Sequence, residues 1–112
     1  MASINDLWLT DFGSPYPGEP TRRRPALIIG PPETFGPGFP FVIVLPLTTV
    51  HRALSLHVEV EANPDTGLDQ TSYVLCELIR SVNRNRLLRR LGVIDAATNS
   101  KITTVVKTLL NY

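Results

Sequence analysis

Pro-Ala-Leu-Ile-Ile (Pro25 to Ile29) and Phe-Val-Ile-Val-Leu-Pro-Leu (Phe41 to Leu47) are two unbroken apolar runs. Arg24 immediately precedes the first, and Thr48 closes the second. Between them lies Pro-Pro-Glu-Thr-Phe-Gly-Pro-Gly (Pro31 to Gly38), a composition that reads as a turn-rich connection. Short runs bounded by proline and glycine read as strands, and apolar residues on both faces mean burial on both sides. Arg24 and Thr48 are equidistant in sequence from Gly36. If the runs pair antiparallel, guanidinium and hydroxyl emerge together at the open end of the hairpin. A permanent cation beside a hydroxyl suits a phosphodiester passing through a charged transition state.

Outward from this hairpin the pattern stays β-like. Leu7 to Phe12 reads as a first strand, and Gly13 to Arg23, with Pro15, Pro17, Gly18 and Pro20, as a loop. Pro46 marks an edge or a bulge in its strand. Leu56 to Glu61 alternates, with Leu56, Val58 and Val60 inward and His57, Glu59 and Glu61 outward. Asn63 to Gly67 is a turn, and Ser72 to Ile79 a fifth strand. The period then changes. Arg84 to Leu91 reads as a short helical turn stopped by Gly92, its leucines inward and its arginines on a solvated face. Asp95 can cap a final helix whose Ile102, Val105, Val106 and Leu109 share one face. The expectation is a mainly β fold with α: a bent sheet or open barrel with a C-terminal helix packed on it.

A chain of 112 residues forms one domain with a single modest core, so residues 1–112 are taken together. No apolar stretch is long enough to span a membrane, and the N-terminus lacks a signal-peptide pattern. The lone Cys76 sits in an apolar strand, which excludes a disulfide framework, reads as core packing and fits a cytoplasmic location. One cysteine and two histidines at unhelpful spacing give no metal constellation, and no cofactor is expected. Net charge is only +1, yet nine of the eleven basic residues are arginine, whose planar fork matches phosphate. Those arginines either meet phosphates or merely solvate the surface.

Trp-Leu-Thr-Asp-Phe (Trp8 to Phe12), Gly18-Glu19, Arg24 to Ile29, Leu47 to Thr49, Glu77, Ile79 to Ser81 and Arg86-Leu87 with Gly92 form an ordered series. It resembles the MazF/PemK/Kid toxins over roughly residues 7 to 110. That resemblance implies an SH3-like barrel with a C-terminal helix, a homodimer, and a cognate antitoxin that covers the RNA-binding surface. It also implies a sequence-specific, metal-independent endoribonuclease that cuts single-stranded RNA and arrests growth. Attack by the 2'-hydroxyl would leave a 2',3'-cyclic phosphate and a 5'-hydroxyl. Arg24 would stabilise the phosphorane and Thr48 would hydrogen-bond the scissile phosphate.

Further candidate RNA contacts are Gly18, Glu19, Arg22, Arg23, His51, Glu77, Arg80 and Ser81. Each has a plainer reading. Arg24 can pair with Asp11 or Glu19, Arg22 and Arg23 can be a solvated charge run, and Arg80 and Ser81 can anchor the barrel. His51 either supplies the acid or base that arginine supplies badly, or is a surface loop residue. His57 reads as a surface residue. Glu77 can orient Arg24, accept from a base edge, or form a structural ion pair. Phe12, Tyr16 and Phe35 can stack on bases or simply pack. Leu78 stands where relatives often carry a polar residue, so no relative's cleavage sequence transfers. The competing functions are a non-catalytic gyrase-binding toxin of the related CcdB type and an inactive RNA- or partner-binding barrel.

Overall fold

The computed structural model describes residues 2–13, 22–32 and 38–112. Among them are seven antiparallel strands and one α-helix. The strands are β1 (Asp6–Asp11), β2 (Arg23–Gly30), β3 (Phe41–Thr48), β4 (His57–Val60), β5 (Ser72–Leu75), β6 (Arg80–Asn83) and β7 (Leu87–Val93), followed by α1 (Ala96–Leu109). The sheet runs β4-β5-β3-β2-β1-β7, with β6 pairing β3 off this path. It does not close on itself and forms an open barrel. No helix among the described residues is long and apolar enough to cross a membrane.

The two apolar runs pair as expected, with Ala26 opposite Pro46 and Leu27 opposite Leu45. Their alternate residues feed two cores. Leu27, Leu45 and Leu47 enter the larger, with Leu7, Val74 and Ile102, while Ala26, Ile28, Val42 and Val44 enter the smaller, with Phe12. A strand between two cores must be apolar on both faces, which is why these runs do not alternate.

Pro46 is not at an edge, for β3 is paired along both sides. One side bonds β2; the other bonds β6 through Phe41–Val44 and β5 through Leu47–Thr48. Proline, which has no N–H to donate, falls in the gap between those two partners.

The fifth strand ends at Leu75, and Cys76–Leu78 coils into a 3₁₀ turn. The expected helical turn over Arg84 to Leu91 is corrected: only Arg84–Arg86 coil, again as 3₁₀, and Leu87–Val93 are strand β7. β7 satisfies the outer backbone of β1, where Leu7 faces Gly92 and Leu9 faces Arg89. Ladder bonds with a distant strand outweigh local helical spacing here. Leu87 and Leu91 pack on the cores, but Leu88 is exposed rather than inward.

Gly92 does not stop a helix. A side chain there would overlap the backbone of Asp65 and Thr66, and Gly67, at positive φ, abuts the backbone of Leu91. The two glycines let the 63–67 turn lie directly on β7, where Val93 N–H bonds the Asp65 carbonyl at 2.9 Å.

The final helix begins as expected. Asp95 Oδ1 accepts from Thr98 N–H at 2.8 Å and Ile102 is buried in the larger core, though Leu109 runs out beyond it and is exposed.

Candidate active site

Arg24 is the second residue of β2 and stands opposite Thr10 of β1. Two residues beyond the Ala26–Pro46 pair, the same register carries it to the end of β3, where Thr48 lies. The half-buried guanidinium donates from Nη1 to the Leu47 carbonyl at 3.3 Å. Burial first, and the neighbouring Arg52 cation second, lower the Arg24 pKa from its ordinary value. Arginine starts so far above neutrality that it stays charged. Thr48 Oγ1 accepts from the Val50 N–H at 3.2 Å, and this contact orients the hydroxyl while leaving its proton to donate elsewhere.

Both side chains line an open cleft of about 290 Å³, together with Arg23, Leu68, Asp69 and Ser72. The segment before β5 thus forms a wall that the sequence reading missed. Leu-Asp-Gln-Thr (Leu68 to Thr71) looks like a polar connection, and nothing local links it to strands 20 or more residues upstream.

The remaining candidates divide. Arg23 reaches the cleft opposite Asp11 in the β1–β2 ladder, while Arg22 is exposed and its carbonyl accepts from Phe12 N–H. Asp11 spends its carboxylate on the Gly13 N–H, at 2.8 Å. His51 is exposed and lies flat on the Tyr73 ring, with centroids 4.7 Å apart and planes within 5°. Arg80 sits over the Phe12 ring, 5.3 Å from its centroid, and Ser81 is exposed opposite Ile43 on β3. Neither lines the cleft. Gly18 and Glu19 lie outside the described residues, as do Tyr16 and Phe35.

Glu77 engages His57, Oε2 to Nε2 at 2.7 Å, so the carboxylate has a structural partner in β4. This corrects the reading of His57. Its side chain is only 3% exposed, with the Glu77 carboxylate against its Nε2. Among the described residues, Tyr73, the cross-strand partner of Thr48, and Arg52, whose charge acts on Arg24, are further neighbours that the sequence did not single out.

Compared with known protein families, residues 4–110 match the PemK-like, MazF-like toxin of type II toxin–antitoxin systems. The chain belongs to this family. The MazF-like fold is equally plain in solved structures. MazF from Deinococcus radiodurans superposes with a TM-score of 0.84 at 20% identity, covering 99% of this chain and 97% of that one. Mycobacterium tuberculosis toxin MazF-mt6 gives 0.78 at 24% identity, with 95% and 96% covered. An endoribonuclease from a mycobacterial species, solved in complex with its cognate antitoxin, gives 0.77 at 24% identity, with 99% and 96% covered. The open barrel and terminal helix are therefore the MazF architecture.

Proposed function

We propose that this MazF-like toxin is a sequence-specific endoribonuclease for single-stranded RNA, with the Arg24–Thr48 cleft as its active centre. The observation that carries the reading is a half-buried cation and an oriented hydroxyl lining one open cleft. In this mechanism the substrate's 2'-oxygen bonds to the adjacent phosphorus and loses its proton. The bond to the 5'-oxygen breaks and that oxygen gains a proton, leaving a 2',3'-cyclic phosphate and a 5'-hydroxyl.

Arg24 stabilises the extra negative charge of the phosphorane, and Thr48 donates to a non-bridging oxygen. Arginine holds its proton too tightly to serve as the base, so the role of Arg24 is electrostatic. Internal attack needs positioning, proton transfer and charge stabilisation, and a metal has no assigned part in it. The mycobacterial neighbour named as an endoribonuclease with a cognate antitoxin supports the activity and an antitoxin partner for this chain. We place the toxin in the cytoplasm as a homodimer, where RNA cleavage would halt translation and growth.

The test is cleavage of a mixed-sequence RNA in EDTA by the wild type and by Arg24→Ala, with product ends read chemically. Cyclic-phosphate ends are expected, and their rate of formation should fall about 10²–10³-fold in the variant. Intact RNA in the presence of folded wild-type protein would refute the nuclease reading and make DNA supercoiling the next assay.

A further inference from the structure

Tyr73 is the Cα partner of Thr48 across the β3–β5 ladder. Cross-strand partners project from the same face, so the Tyr73 ring stands on the face of the sheet that carries Thr48, outside the lining of the cleft itself. The chain leaves β3 at Thr48 and returns at β4, and within three residues it lays His51 on that ring. Three residues span at most about 11 Å, which keeps the imidazole within a short reach of Thr48.

The stack has one closed face and one open surround. Tyr73 is half-buried, His51 is exposed, and among the described residues its ring contact is with Tyr73 alone. An exposed side chain lying within 5° of parallel to its neighbour is a preset flat surface. Aromatic faces of this kind bind nucleobases with little regard to sequence, because every base has a π-face. The same loop carries Arg52, whose charge acts on Arg24, so the stacked ring and a second arginine arrive on one segment.

We infer that the stacked His51–Tyr73 pair is a nucleobase platform, seating a base of the nucleotide next to the scissile phosphate. The inference rests on the RNA-cleavage reading and gives His51 a stacking role in place of acid–base chemistry. Tyr73 supports the imidazole from beneath and is a positioning residue.

The experiment measures binding of a fluorescent, fully 2'-O-methylated mixed-sequence RNA, which cannot be cleaved, and of an abasic oligonucleotide of equal length. The proteins are the wild type, His51→Ala, His51→Phe, Tyr73→Ala and Tyr73→Phe, each checked for folding by circular dichroism. His51→Ala should weaken RNA binding about tenfold and leave abasic binding unchanged. His51→Phe, which keeps a ring on Tyr73, should restore the lost affinity, and Tyr73→Phe should behave as the wild type. Tyr73→Ala should resemble His51→Ala in raising KM for cleavable RNA more than it lowers kcat.

Equal RNA affinity in wild type and His51→Ala would overturn the platform. So would a His51→Phe variant that binds normally but loses one limb of the pH–rate profile, since that marks a proton-transfer residue. Wild-type protein that binds the abasic strand but leaves cleavable RNA intact would break the nuclease reading, and the His51→Ala comparison would still decide the platform. Wild-type protein that binds no RNA would overturn both.

Discussion

Individual side chains here owe their chemistry to what buries them. Arg24 and Cys76 both lose solvent, with opposite consequences. The arginine remains a cation, while burial, and secondly the Glu77 carboxylate, push the Cys76 thiol up to about 11 from 9.0. A thiol with a raised folded pKa keeps its proton where the unfolded chain would lose it. The contribution of this thiol to folded-state stability is therefore full below 9.0 and is lost as the pH climbs toward 11. Only the thiolate is nucleophilic, and Cys76 is 1% exposed. Native protein at pH 8 should resist maleimide labelling, with stoichiometric reaction appearing only in denaturant; rapid native labelling would refute this. His57 follows the same logic of environment over pattern. Its place in an alternating strand reads as outward, and only the Glu77 contact reveals that the side chain is enclosed.

Elements were legible to the extent that their signals are local. The β2 and β3 runs, the β4 alternation and the Asp95 cap are patterns spanning fewer than about ten residues, and each produced its element. Capping should be measurable. Hydrogen bonds from Thr98, side chain and backbone, hold the Asp95 carboxylate below its ordinary 3.8, so its contribution is present above that pH and is lost as acid protonates it. Asp95→Ala should lower Tm at pH 7, and the difference from wild type should shrink toward pH 3. A gap independent of pH would contradict the assignment. β7 was not legible, because its leucines and arginines have helical spacing and its partner β1 lies some 80 residues away. Gly92 lets the 63–67 turn lie on β7, and Gly92→Ala should cost about 1–3 kcal/mol through overlap with that turn. Chemical denaturation would measure the loss, and an unchanged midpoint would show that the turn can retreat.

At the scale of the whole molecule, the sheet is stabilised from two sides, and α1 seals the larger side through Ile102. That residue is 2% exposed and sits among leucines and valines from β1 to β5, so its loss opens a cavity that no single element can fill. Ile102→Ala should destabilise by about 2–5 kcal/mol. A thermal melt by circular dichroism should show one early transition if the two cores melt together. Two separated transitions would mean that the smaller core, around Phe12 and Val44, holds independently.

The sequence by itself determined the hairpin, the mainly β class with a capped terminal helix, and the meeting of Arg24 with Thr48. Those follow from apolar runs, turn residues and a symmetric spacing that the observed register preserves. Only the tertiary structure decided that β3 changes partners at Pro46, that Glu77 turns to His57, and that His51 lies on Tyr73. The physical reason is range. A strand's apolar period is written in its own residues, whereas a ladder partner, an enclosed imidazole or a stacked ring exists only after distant segments have closed on one another.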